Sequence, residues 1–173
     1  MKLRLLLVFL TFCIISFSFI PGRGTKANRT IHDSLFSVGD VIRIPEIPFV
    51  PSHEYGKMNQ ATKDSLDIVA AFLLSHAELT VELVNHTDYR GSNKYNDRLS
   101  SERARACVKY LINEKKVPPF KITPKGASEY FLLKDEQDMF YARTKEEKKA
   151  FHRMNVRTEL VVKAIESPYI RGY

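Results

Sequence analysis

The chain has 173 residues, of which 44% are hydrophobic and 27% charged, and its formal net charge is +7. This length and apolar content suit one globular domain with its own core and leave little room for a second. The basic residues are interleaved with acids instead of forming one concentrated basic face, which argues against nucleic acid as a partner.

The first 24 residues differ in composition from the rest of the chain. Lys2 and Arg4 precede an unbroken apolar run, residues 5–20, and Pro21 and Gly22 follow it. This order is typical of an export signal. The run has 16 residues, fewer than the roughly 20 that a membrane-spanning helix needs, which favours cleavage over retention as an N-terminal anchor. The sequence thus predicts an exported protein that contacts the membrane only if this segment is retained.

Removal of the segment would also change the charge and the thiol content of the chain. Lys2, Arg4 and Arg23 would leave without any acid, so the net charge would fall from +7 to +4. Cys13 would leave as well, and Cys107 would be the only thiol. An internal disulfide is then impossible, and stability must come from the apolar core.

The next segments predict a linker, an edge strand and a first helix. Residues 25–39 show no sustained period and are read as a linker. Residues 41–50 are rich in β-branched side chains, but Pro45 and Pro48 cannot donate to a ladder, so an irregular or edge strand is expected. Residues 58–78 predict a helix with one buried stripe, formed by Leu66, Val69, Ala70 and Leu73.

Alternating and helical patterns continue to the end of the domain. Residues 79–86 alternate as a half-buried strand, and residues 93–114 predict a second helix with Ala104, Cys107, Val108 and Leu111 on its buried stripe. A strand ending at Gly126, a loop with a short solvated helix in residues 134–153, and a strand over residues 156–165 follow.

This order of elements predicts an α/β fold. We expect a two-layer sandwich in which helices cover one face of a mixed four-stranded sheet. The domain is predicted to span residues 40–166, with residues 167–173 as a C-terminal tail.

Residues 85–104, which read NHTDYRGSNKYNDRLSSERA, concentrate polar side chains between the second strand and the second helix. Strand ends that lead into helices are where α/β folds place ligands. Asp88 would lie in the turn, outside the core, and Arg103 two to three helical turns further on, within reach of the strand end. A carboxylate and a planar guanidinium together complement an amino-acid zwitterion, although a surface ion pair or a capped turn is the plainer reading of the two residues alone.

The whole string resembles the signature of the OmpA C-terminal domain family, GHTD followed by D-x-x-G-S and YN-x-x-LS-x-x-RA. Asn85 stands where the family usually has Gly. The resemblance continues through KITPKGASE and MNVRTELVV and so covers about residues 40–165. It implies a βαβαβ-type fold and noncovalent binding of peptidoglycan, as in the Pal lipoproteins and the periplasmic part of MotB.

The resemblance also implies site residues. Asp88 would hold the ammonium of diaminopimelate and Arg103 its carboxylate, with Thr87 and Asn96 in register beside them. Arg157 matches the second Arg of the family's NRR pair, whereas Val156 replaces the first. The implied partner is peptidoglycan, and the implied location is the periplasm or cell envelope, with a membrane anchor or outer-membrane association left open.

Other site classes are disfavoured. His86 and Asp88 share one face of a strand, but no third or fourth metal ligand lies near them in sequence. Ser100 and Ser101 lie inside a helix and lack the strained turn that exposes a nucleophile. We therefore expect that the protein binds neither a metal nor a cofactor and that it is not an enzyme. The alternative is an interaction module of the same fold that docks an envelope protein through the charged residues 134–153 and binds the wall weakly or not at all.

Overall fold

Five strands form one mixed sheet in the computed structural model, which describes residues 28–49 and 56–166. The strands are β1 (Asn28–Thr30), β2 (Val41–Arg43), β3 (Leu79–Asn85), β4 (Ile122–Gly126) and β5 (Thr158–Ile165). Their spatial order is β1-β2-β5-β3-β4. The β1/β2 and β3/β4 pairs are parallel, and β5 runs antiparallel to both of its neighbours. The predicted α/β class and mixed sheet are confirmed.

The predicted number of strands is wrong by one. The additional strand, β1, lies inside the segment that the sequence assigned to a linker, and it pairs with β2 over three residues. Buried Asp40 holds this edge in place, because its carboxylate accepts hydrogen bonds from Arg29 Nε (3.2 Å) and from the backbone N–H of Ser37 (2.9 Å). Three polar residues give no periodic signal, so β1 was not visible in the sequence.

Helices supply the second layer of the core. They are α1 (Gln60–Ser75), α2 (Asn93–Asn113), α3 (Glu136–Tyr141) and α4 (Lys145–Asn155). All the side chains of the predicted stripes of α1 and α2 are buried, and they pack with Leu79, Val81 and Leu83 of β3 and with Leu160 and Val162 of β5. Each such Leu or Val stabilises the fold by about 1.5–3 kcal/mol relative to an exposed side chain.

The α2 helix approaches β4 closely at Gly126. A β-carbon at this position would lie 2.6 Å from the backbone N of Ser101 and 2.7 Å from the Oγ of Ser100. The Oγ of Ser100 also accepts a hydrogen bond from the backbone N–H of Ser128 at 3.1 Å. Glycine is therefore needed at position 126 for α2 to pack this close to β4.

Residues 134–153 differ from the expected loop and single short helix, because they form two helices, α3 and α4. Each begins with a capping box, centred on Asp135 in α3 and on Thr144 in α4. The side chain of Asn155, at the end of α4, accepts from the backbone N–H groups of Leu133 and Lys134 (2.8 and 2.9 Å) and donates to the carbonyl of Lys134 (2.6 Å). We call residues 134–155 the helical excursion.

Several predictions fall at the edges of the described chain. Strand β2 ends at Arg43, before Pro45 and Pro48, as the missing N–H groups of proline require. Residues 1–24 and the tail 167–173 lie outside the described residues, so these boundaries stay predictions. Among the helices in residues 28–49 and 56–166, none combines the length and the apolar character needed to cross a membrane.

Candidate functional site

An open cavity of about 1040 Å³ lies where β3 leads into α2. Three parts of the chain line it. The first is the segment 46–49 after β2, the second is the β3–α2 connection with the first half of α2, and the third is one face of α4 together with Val156. Four of the five predicted site residues meet here: Thr87, Asp88, Asn96 and Arg103.

Asp88 is buried, with 4% of its surface exposed, and is not the turn residue outside the core that the sequence suggested. Arg90 holds its carboxylate, donating from the backbone N–H to Oδ1 (3.0 Å) and from Nε to Oδ2 (2.8 Å). His152 of α4 brings Nδ1 within 3.0 Å of Oδ2, without the alignment of a hydrogen bond. The acid is therefore surrounded by cationic or ionisable nitrogen groups.

Asn96 fixes the geometry of the connection and does not reach freely into the cavity. Its Nδ2 donates to the backbone carbonyls of Asp88 (3.1 Å) and Arg90 (3.2 Å). Ser92 caps the start of α2 by accepting from the N–H of Tyr95 (3.3 Å), and Gly91 supplies the left-handed conformation before it (φ +109°). Asn96 thus positions the loop that carries Asp88.

Arg103 lies on the same wall, one turn beyond Leu99 on α2, and is half-buried. Its guanidinium stacks on the ring of Phe49, 4.7 Å from the ring centroid, and it has no hydrogen bond or ion pair with another described residue. Burial lowers the pKa of Arg103, while the nearby Tyr95 and Asp88 act in the opposite direction. A guanidinium remains charged at neutral pH, so Arg103 offers its donors to an anion in the cavity.

Thr87 contributes a second unsatisfied group. Its backbone N–H donates to the carbonyl of Ser128 (2.9 Å), but its Oγ1 is buried and has no hydrogen-bond partner among the described residues. A buried hydroxyl without a partner is costly, and a polar atom of a ligand in the cavity would relieve that cost.

Arg157, the fifth predicted site residue, does not line the cavity. Its Nε donates to Glu159 (2.6 Å) and its Nη2 to the carbonyl of Phe131 (3.1 Å). Glu159 also lies 3.3 Å from Nε2 of buried His86. Burial opposes ionisation of Glu159, but the close contact with His86 and the hydrogen bond from Arg157 outweigh it and lower its pKa to about 2. Arg157 therefore belongs to a partly buried polar network outside the cavity.

The sequence did not point to the α4 wall. The side chains that face the cavity are Lys145, Lys148, Lys149, His152 and Arg153. They recur at i, i+3, i+4, i+7 and i+8, which places them on one face of a helix. The spacing was readable, but a charged helix of this kind is usually a solvated surface. Arg90 was missed because nothing in the sequence indicates that it donates two hydrogen bonds to the carboxylate of Asp88.

The described residues contain no group of three or more His, Cys, Asp or Glu side chains arranged to hold a metal ion. What the cavity offers instead is hydrogen bonding and charge. Six lysine and arginine side chains and His152 line it, against the two carboxylates of Glu46 and Asp88. The cavity can therefore accept a ligand that carries carboxylates and, at Asp88, an ammonium.

Comparison with known proteins gives one family and several related folds. The OmpA family model matches residues 54–151. The periplasmic domain of Helicobacter pylori MotB is 14% identical, with a TM-score of 0.56, over 79% of this chain and 81% of that one. A MotB-like protein from Desulfovibrio vulgaris is 17% identical, with a TM-score of 0.52, over 68% and 70%.

The peptidoglycan-associated lipoprotein of Burkholderia pseudomallei is 20% identical, with a TM-score of 0.50, over 65% of this chain and 86% of that one. At these identities the likeness shows the fold alone. No protein of curated function matches the chain in sequence. The family match, however, spans more than half of the sequence and includes the β3–α2 connection with Asp88 and Arg103. The chain belongs to the OmpA family.

Proposed function

We propose that the chain binds peptidoglycan noncovalently through the diaminopimelate of the stem peptide and so attaches an envelope component to the cell wall. The observation that carries the proposal is the shared position of Asp88 and Arg103 in one cavity. A buried carboxylate and a guanidinium that has no counter-ion among the described residues match the ammonium and the carboxylate of one zwitterion. One of the proteins with a similar fold is a peptidoglycan-associated lipoprotein, and its name agrees with the proposed function.

The ion pair between Asp88 and Arg90 sets a condition on this binding. An incoming ammonium must share the carboxylate with Arg90 or displace it. The Arg90 side chain is 63% exposed, so it can turn into solvent at little cost. Arg157 has no direct part in the proposed contact, because its donors are engaged outside the cavity.

Binding of the full-length chain to purified peptidoglycan sacculi tests the proposal. Asp88→Asn keeps the shape of the buried side chain and removes its charge, and we expect it to weaken wall binding about tenfold or more, because a hydrogen bond to a charged group contributes about 1.5–3 kcal/mol. Asp64→Asn, an exposed acid on α1 that does not line the cavity, is the matched control and should bind as the unsubstituted chain does. Equal binding by Asp88→Asn would contradict the proposal.

We propose further that the protein is not an enzyme and that it acts in the periplasm or cell envelope. Ser100 lies within α2, and its Oγ accepts from the N–H of Ser128, an arrangement that suits packing and not nucleophilic attack. Incubation of the chain with sacculi should release no soluble fragments. Time-dependent release of muropeptides would contradict this part of the proposal.

A second candidate function, docking of an envelope protein, is favoured by one observation. The short helix α3 exposes Phe140 (81%) and Tyr141 (68%), whose rings stack edge to face. Exposed aromatic side chains are common at protein interfaces. Sacculi freed of other proteins separate the two functions, since a docking module would not bind them, whereas a wall-binding domain would.

A further inference from the structure

We propose that α4 forms a second subsite that binds carboxylates of the stem peptide other than those of diaminopimelate, so that the chain prefers stems on which these groups are free. This inference rests on the proposed function and names which form of the ligand the cavity selects.

The first support is the row of cations on α4. Lys145, Lys148, Lys149 and Arg153 line the cavity, and none of these side chains has a hydrogen bond or ion pair within residues 28–49 and 56–166. The acids of the same helix do not line the cavity, and Glu147 is used in the capping box at the start of α4. The face is therefore positive, and the two carboxylates that line the cavity, Glu46 and Asp88, do not balance its charge.

The second support is the position of the row relative to Asp88. His152 lies at the Asp88 end, 3.0 Å from its carboxylate. At a rise of 1.5 Å per residue, the row from Lys145 to Arg153 extends about 12 Å along the helix axis. That length corresponds to three or four residues of extended peptide. A stem held at Asp88 and Arg103 could therefore lie along α4, with its remaining carboxylates beside the lysines.

The third support is the volume of the cavity, together with the unsatisfied hydroxyl group of Thr87. At about 1040 Å³ the cavity is at the upper end of the roughly 300–1,000 Å³ that usually holds a drug-sized ligand, and it is larger than one amino acid requires. Thr87 also lines the cavity, and its buried Oγ1 has no hydrogen-bond partner in the part of the chain that the structure describes. Both features indicate a ligand that extends beyond the zwitterion.

The physical consequence is selectivity by charge. Amide formation, whether by amidation or by cross-linking, removes a negative charge from a stem carboxylate. The attraction to α4 would then be lost, while the contacts to Asp88 and Arg103 would remain. Because the lysines are exposed, the preference should be largest at low ionic strength and should shrink as salt is added.

Calorimetric titration of the full-length chain in a nonionic detergent tests the inference with three probes. They are meso-diaminopimelate, a diaminopimelate-containing tetrapeptide with its other carboxylates free, and the same peptide with those carboxylates amidated. We expect the free peptide to bind at least about fivefold more tightly than the amidated one at low salt. Lys148→Gln/Lys149→Gln should abolish this preference.

The control is Lys63→Gln/Lys109→Gln, which removes the same charge from exposed positions of α1 and α2 that do not line the cavity, and it should keep the preference. Binding of diaminopimelate without any preference between the peptides would overturn the α4 subsite and leave the proposed function standing. A preference retained by Lys148→Gln/Lys149→Gln would do the same. Failure of the unsubstituted chain to bind diaminopimelate or either peptide would overturn both.

Discussion

Arg90 binds the carboxylate of Asp88 through both its backbone N–H and its guanidinium, so the buried acid of the cavity has its counter-ion only two residues along the chain. The pair also raises the pKa of Arg90, because the hydrogen bond to Asp88 favours the charged guanidinium. The ammonium of the proposed ligand would therefore compete with Arg90 for one carboxylate oxygen.

This competition predicts that Arg90→Gln strengthens the binding of diaminopimelate. The backbone hydrogen bond to Oδ1 would remain, while Oδ2 would become available to the ligand. Since the Arg90 side chain is largely exposed and exchanges this bond for water, we expect the gain to be about 1 kcal/mol, or at most about fivefold. Calorimetry on the unsubstituted and Arg90→Gln chains measures it. Weaker binding by the variant would mean that Arg90 contacts the ligand itself.

Gly126→Ala should destabilise the protein and weaken wall binding together. The added methyl group would overlap the backbone and side chain of Ser101, and forced overpacking of this kind costs about 1–3 kcal/mol. Displacement of α2 would also move Arg103, two residues beyond Ser101. Urea unfolding and sacculus binding report the two effects.

Ser101→Ala provides the control for Gly126→Ala. It should not restore stability in the double variant, because the backbone N of Ser101 would still lie 2.6 Å from the new β-carbon. Full recovery in the double variant would show that only the hydroxyl group of Ser101 limits the approach of α2.

Glu159→Gln should reduce stability in a pH-dependent way. The pKa of Glu159 is about 2 in the folded protein, against an ordinary value of 4.5, so the ionised carboxylate stabilises the fold above pH 4.5. That contribution is lost as the pH falls from 4.5 towards 2. Because the group is partly exposed, we expect about 1–2 kcal/mol at neutral pH, less than the full shift would give.

Urea unfolding of the unsubstituted and Glu159→Gln chains between pH 7 and pH 2 checks this expectation. The two free energies of unfolding should converge as the pH approaches 2. A difference that is constant over the whole range would assign the effect of the substitution to packing and not to charge.

Cys107 should be almost inert to thiol reagents in the folded protein. It is fully buried, and burial raises its pKa to about 12. At pH 8 the thiolate fraction is then about a thousandfold lower than for an ordinary thiol. In a Cys13→Ser chain, where Cys107 is the only thiol, modification should follow unfolding in urea. Rapid modification without urea would contradict the burial of this side chain.

Regular apolar patterns explain which parts of the fold were predictable. The stripe that contains Leu66 and Leu73 and the alternation from Leu79 to Leu83 correspond to large buried surfaces, so they determine α1 and β3 directly. Strand β1 could not be predicted in this way, because its place depends on pairing with β2 and on Asp40.

In the site, too, the sequence motif predicted some positions, whereas others depend on tertiary packing. The motif around Asp88 and Arg103 predicted that these residues would lie in one cavity, and the geometry brings them together. The family resemblance also placed Arg157 there, whereas the guanidinium of Arg157 binds Glu159, two residues further along the chain. Which way the basic face of α4 points depends on how the excursion folds back, and helical spacing alone cannot indicate that direction.

The hydrogen bonds of Asn155 have a consequence for how the α4 side of the cavity can change over evolution. The helical excursion leaves and rejoins the domain at nearly the same point, because one side chain joins residues 133 and 134 to the end of α4. Its length and charge can therefore be exchanged without disturbing the sheet, since lengthening a closed loop costs little conformational entropy. The proposed selectivity for one chemical form of peptidoglycan would in this way be inherited separately from the fold that carries it.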